Sequence, residues 1–186
     1  MSTFYYFGFG SNLLAKRIRV QNKSAVRIGV GKLNGFRLDF ADATADEKYY
    51  SPTWAGSPAT IVESKDSTVF GAVWELDKKD LPQIDQQEGV ELGIYKPMEI
   101  QVVLNGAKEI TCRTYQLVKN PSSPCDPQIR EFERQPSKTY LNLMLNGAVE
   151  TGLSSEYITF LKSFKHNGNS ATNIELVNQL DLKNLL

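Results

Sequence analysis

With 186 residues, 41% of them hydrophobic and 23% charged, the chain is long enough to bury one sizeable core and short for two. Its 21 basic residues balance 21 acidic ones, which leaves no net field to hold a nucleic-acid backbone, and no apolar run approaches the roughly 20 residues of a membrane span. Cys112 and Cys125, without C-x-x-C spacing or a neighbouring histidine, are too few for a disulfide framework or a metal site, so both are read as reduced and the chain as cytoplasmic.

In chain order, the aromatic run from Phe4 to Phe9 favours an extended, half-buried backbone, and a helical pattern starts at Leu13 with Leu14, Arg17 and Ile18. Between them lies the corner Gly10-Ser11-Asn12. Gly10 has no Cβ to hold a ligand off the backbone, Ser11 and Asn12 are good N-cap residues, and the first helical amides are expected to point outward unpaired. Such a corner suits an anion; it is equally an ordinary strand-to-helix connection. Gly8-Phe9-Gly10 begins like a dinucleotide fingerprint, but Leu13 stands at the third glycine position and no regular βαβ repeat follows, so that reading is rejected.

Asn34-Gly35, between strand-like 25–30 and 36–40, predicts a hairpin. Residues 41–58 lack period and read as a long surface loop with Trp54 and Pro58 as anchors. Strands are predicted at 59–63 and 69–76, the second apolar on both sides and so buried on two faces. Asp77 opens a short helix to about Gln87, interrupted at Pro82, with Gly89 in the place of a left-handed C-cap. A hairpin around Asn105-Gly106 joins strands 95–104 and 107–118. After a proline- and serine-rich loop at 119–136 come amphipathic helices at 139–149 and 154–165, and Ile174, Leu176, Val177, Leu180 and Leu182 suggest a last one. A domain over 1–168 and a helical tail over 169–186 are expected.

Counting narrows the chemistry. His166, the lone histidine, lies in a polar link, and Ser11 has no base partner, so a Ser-His nucleophile has nothing behind it. A carboxylate remains for acid-base work. Glu88 draws attention because it ends a helix, where a negative charge opposes the macrodipole; an ordinary solvated glutamate is the competing reading.

Phe7-Gly8-Phe9-Gly10-Ser11-Asn12-Leu13-Leu14, Trp54-Ala55-Gly56, Val69-Phe70-Gly71-Ala72-Val73-Trp74, Asp85-Gln86-Gln87-Glu88-Gly89-Val90 and Gly93-Ile94-Tyr95, in this order, resemble the γ-glutamylcyclotransferase family. The likeness continues through Glu109 to Tyr115, Pro136 to Tyr140 and Gly147 to Leu153. It implies an α+β fold, a mixed β-barrel of about five to seven strands with flanking helices, often dimeric and using no metal or cofactor. It also implies conversion of a γ-glutamyl amino acid into 5-oxoproline and the free amino acid, with Glu88 as base and then acid. By the same resemblance the amides of Gly10, Ser11, Asn12 and Leu13 hold the substrate's α-carboxylate or carbonyl oxygen, and Phe9, Tyr95 and Tyr140 line the pocket. The two tyrosines could equally be packed core aromatics. Phe9 departs from the family, which commonly has tyrosine there; a member that binds without turnover, or one acting on γ-glutamylamines or glutathione, stays open.

Overall fold

The first strand, β1 (Thr3–Gly8), feeds a 3₁₀ turn (Ser11–Leu13) and a short helix, α1 (Ala15–Gln21). Two long strands follow, β2 (Val26–Phe40) and β3 (Ala59–Asp77), then α2 (Leu81–Gln87) and the pair β4 (Tyr95–Leu104) and β5 (Lys108–Leu117). Among the described residues three helices follow: α3 (Lys138–Thr151), α4 (Ser155–Lys162) and α5 (Ile174–Gln179). This computed structural model describes residues 2–180 apart from 45 and 129. Leu182, placed in the last predicted helix, lies outside the described residues.

The strands close a barrel in the order β1-β3-β2-β4-β5, antiparallel except where β5 meets β1 in parallel at Tyr6 and Arg113. It is the mixed barrel the resemblance implied. Closure removes both open edges and fills the interior with Phe7, Val73, Val102 and Cys112, all fully buried. The alternation of 69–76 is that of a strand covered on both faces, with Val69, Ala72, Val73, Trp74 and Leu76 all at zero exposure. Asn105 and Gly106 both take positive φ as the central residues of the turn that the Ala107 amide closes on Leu104 O at 3.1 Å.

Asn34-Gly35 does not turn the chain. β2 runs straight through it, pairing Asn34 with Thr68 and Phe36 with Glu63, so four residues of β3, 64–67, bulge out opposite Gly35. The two segments predicted on each side of the Asn-Gly are one strand, as are those at 59–63 and 69–76. Their alternation was legible, but pairing with one long partner overrode the local turn preference.

Both long connections are more deeply packed than a surface loop. Within 41–58, Tyr49, Trp54, Ala55 and Ser57 are buried, whereas Pro58 is half-buried. Within 119–136, Arg130, Arg134 and Gln135 are buried, because Asp39 on β2 takes the Arg130 guanidinium at 2.7 Å and that of Arg134 at 3.5 Å. The tail lies against the same body: Asn169 Nδ2 donates to the Ala55 carbonyl at 3.3 Å, Thr172 Oγ1 to that of Pro52 at 2.8 Å, and Leu180 is buried. No helix among the described residues is long and apolar enough to cross a membrane.

Candidate active site

At the end of β1 the chain leaves the barrel through Phe9 and Gly10. Gly10 is needed for a close approach, since a Cβ there would stand 2.8 Å from the Tyr140 hydroxyl. The corner then folds on itself, the Leu13 amide donating to Gly10 O at 3.0 Å and the Leu14 amide to Ser11 O at 3.2 Å. These amides are therefore paired, and neither Ser11 nor Asn12 caps a helix: Gly10 and Leu14 are the N-caps, without side-chain bonds. No hydrogen bond of the Gly10 or Asn12 amide occurs among the described residues.

Asn12 has another use. Its Nδ2 donates to the Tyr6 hydroxyl at 2.9 Å and to Glu88 Oε1 at 3.2 Å, and its Oδ1 accepts from Gln87 Nε2 at 3.3 Å. The indole of Trp74, buried on β3, donates to the Asn12 main-chain carbonyl at 3.0 Å and so fixes the backbone that carries this side chain. A residue type chosen in the sequence for capping thus becomes the link between β1 and α2.

Glu88 is the C-cap of α2, and Gly89, at φ 65°, turns the chain away behind it as a left-handed residue. Gln87 donates from Nε2 to Glu88 Oε1 at 3.2 Å and is itself held by Asn22 at 3.2 Å. Both bonds to the carboxylate fall on Oε1; none is made to Oε2 among the described residues. Withdrawal from water pushes the Glu88 carboxyl up to about 7, against the nearby Arg17 charge and the bonds from Gln87 and Asn12, which pull it down. The pKa rises because burial outweighs an arginine that stands close without touching.

Glu88 lines two adjoining chambers. An inner one of about 40 Å³ is walled by Tyr6, Phe9, Gly10, Ser11, Asn12, Ala59, Tyr95, Tyr115 and Tyr140. An outer one of about 300 Å³ shares Ser11, Glu88, Tyr95 and Tyr140 and adds Arg17, Tyr49, Trp54 and Leu92. Phe9, Gly10, Ser11, Asn12, Glu88, Tyr95 and Tyr140, singled out in the sequence, meet in the inner chamber. Leu13 does not line it: its side chain is buried and its carbonyl accepts from Arg27 at 2.8 Å.

Tyr95 and Tyr140 combine the two roles weighed for them. Each ring is buried, and each hydroxyl is anchored on Ala59, Tyr95 donating to its carbonyl at 2.6 Å and Tyr140 accepting from its amide at 3.2 Å. Burial raises the pKa of both, which keeps them neutral donors and acceptors near neutral pH. Among the wall residues that sequence reasoning passed over, Tyr6, Tyr115 and Arg17 carry polar groups. Tyr6 lay inside the aromatic run from Phe4 to Phe9 and read as strand; Arg17 gave a signal, a cation on the otherwise apolar face Leu13, Leu14, Ile18. Among the described residues no three His, Cys, Asp or Glu side chains gather as a metal site.

The model of the AIG2-like family matches residues 68–161, which hold Glu88 but not the Gly10 corner. A γ-glutamylcyclotransferase of Bos taurus is 41% identical over 165 residues, 89% of this chain and 80% of that protein. The chain belongs to the γ-glutamylcyclotransferase family. The Homo sapiens member is 39% identical over the same lengths. A solved structure of a γ-glutamyl cyclotransferase superposes with TM-score 0.82 at 35% identity, covering 97% of this chain and 99% of that one. A yeast member specific to glutathione, at 14% identity and TM-score 0.55, shares the fold alone with this family member.

Proposed function

We propose that this member converts γ-glutamyl amino acids into 5-oxoproline and the free amino acid, with the Glu88 carboxylate as the one proton carrier. The reaction needs no protein nucleophile. Glu88 takes a proton from the substrate's α-ammonium, and the freed amine attacks the substrate's own γ-carbonyl carbon, closing a five-membered ring. Glu88 passes that proton to the nitrogen of the second amino acid and then takes the surplus proton from the ring nitrogen; the tetrahedral intermediate collapses with cleavage of the bond between the carbonyl carbon and the second amino acid, and the second proton leaves with that amine as its ammonium. No water or electron enters the balance.

Holding the donor in a ring-like pose replaces an encounter by an intramolecular step, and the amides of Gly10 and Asn12, without a hydrogen bond among the described residues, are suited to the oxygen on which charge develops. A carboxyl titrating at about 7 is poised to accept a proton and to return it within one turnover. The observation carrying this reading is Glu88 facing the inner chamber with Oε2 unbonded, opposite the Gly10 corner. Purified protein given γ-glutamyl-alanine should release 5-oxoproline, and Glu88→Gln should lose nearly all of that activity; equal turnover by the variant removes Glu88 from the chemistry. A cytoplasmic homodimer belongs to the same reading, and light scattering on a sizing column gives its mass directly.

A further inference from the structure

Arg17 is buried, 9% exposed, and packs its guanidinium 5.6 Å from the centre of the Trp54 ring. Its Nε has no hydrogen-bond partner, and it makes no hydrogen bond or ion pair among the described residues. Other inward-facing arginines are held: Arg27 by Leu13 O and Glu150, Arg113 by Asp85, and Arg130 and Arg134 by Asp39. A cation withdrawn from water without a partner is unfavourable, and burial lowers the Arg17 pKa accordingly. Glu88 is close enough to act on it electrostatically, yet the carboxylate's hydrogen bonds come from Asn12 and Gln87.

The side chain lines the outer chamber and not the inner one. On the reading above, the ring-forming glutamyl part occupies the inner chamber beside Glu88 and the Gly10 corner. The amino acid to be released then extends into the outer chamber, past Ser11, Tyr95 and Tyr140, toward Trp54 and Arg17. Its α-carboxylate is the one fixed charge that every such leaving group carries, whatever its side chain. A guanidinium offers that group a planar, two-pronged donor, and a neutral leaving amine offers the guanidinium nothing.

We infer that Arg17 is the specificity residue that binds the carboxylate of the leaving amino acid, which makes the site select γ-glutamyl α-amino acids over γ-glutamylamines. The inference rests on the proposed reaction for its substrate, and binding separates the two. Titration calorimetry of γ-glutamyl-alanine and γ-glutamyl-ethylamine into the Glu88→Gln protein should favour the first by about 10-fold or more. Adding Arg17→Gln should abolish that preference by weakening the alanine compound alone, whereas Arg17→Lys, which keeps the charge but not the fork, should retain part of it. Steady-state rates with Glu88 intact should show the Arg17→Gln loss in KM for γ-glutamyl-alanine and less than about 3-fold change for the ethylamine. Preference without any 5-oxoproline from either donor defeats the reaction and leaves the inference standing. Absence of preference, failure of both donors to bind, preference surviving Arg17→Gln, or equal loss on both donors together with a shifted acid limb overturns it; the last result makes Arg17 only a neighbour of Glu88.

Discussion

Asp39, on β2, and Glu88, the C-cap of α2, are two carboxylates each with arginine beside it, and they differ in how far the arginine is allowed to come. Asp39, 1% exposed, receives Arg130 at 2.7 Å on one oxygen, Arg37 at 3.2 Å and Arg134 at 3.5 Å on the other, and the Phe40 amide at 2.8 Å besides. Arg130 is further sandwiched against the rings of Phe40 and Phe164. Glu88 receives only neutral amides, at 3.2 Å and on one oxygen, while Arg17 faces the chamber next to it. A carboxylate wrapped by guanidinium groups ties a loop to a strand. One that is kept from water and given neutral donors holds its proton near neutral pH and can pass it on.

If this contrast is right, the two residues respond oppositely to removal, and the largest effect is on rate. Glu88→Gln should lower kcat for γ-glutamyl-alanine by about 10²–10⁴-fold, the usual range for loss of a general acid-base group, with folding intact by circular dichroism. Asp39→Ala should leave Arg130 and Arg134 buried without a counter-charge and cost about 3–5 kcal/mol of unfolding free energy in urea titrations, while the surviving folded fraction keeps its kcat.

Acidity sharpens the comparison. Between an ordinary 4.5 and about 7, native Glu88 retains a proton that the unfolded chain has released, so the residue's contribution to stability falls as pH rises through that window. Glu88→Gln should therefore match the parent in stability at pH 4 and exceed it at pH 8 by at most about 3 kcal/mol. The rate should run the other way, with kcat/KM rising with pH to a plateau above an apparent pKa near 7. A flat stability difference between the two proteins across this range would contradict the raised pKa. The smallest effect is expected at Phe9, on the inner wall. Phe9→Tyr adds one hydroxyl to a chamber already rich in phenols and should change kcat/KM less than about 10-fold, about one hydrogen bond's net worth.

Much of the frame could be read from residue pattern. The two-sided apolar alternation of 69–76 required a strand in an interior, and Asn105-Gly106 required a turn at that point because few other residues take positive φ at two successive positions. Asn34-Gly35 carried the same local signal and failed, because the segments on both sides both pair with β3, which bulges at 64–67 to let β2 run on instead of reversing. The polar loop at 119–136 misled for a related reason. Its arginines are hydrophilic by type, and only the position of Asp39, some 90 residues earlier, makes them interior.

The site divides along the same line. Order and identity along the chain were enough to assign the family, to bring forward Glu88, and to mark Gly10, Ser11 and Asn12 as a place where backbone comes unusually close to something. They determined these because motif spacing and the φ/ψ demands of glycine are local properties. Tertiary structure alone decided that Asn12 bonds Glu88 instead of capping a helix, that Gly10 is small for the sake of the Tyr140 hydroxyl, and that Arg17 stays unpaired while Arg130 does not. Each of those outcomes depends on distances between residues far apart in the chain, and electrostatic and hydrogen-bond energies change sign in their consequence over one or two ångströms that no sequence interval encodes.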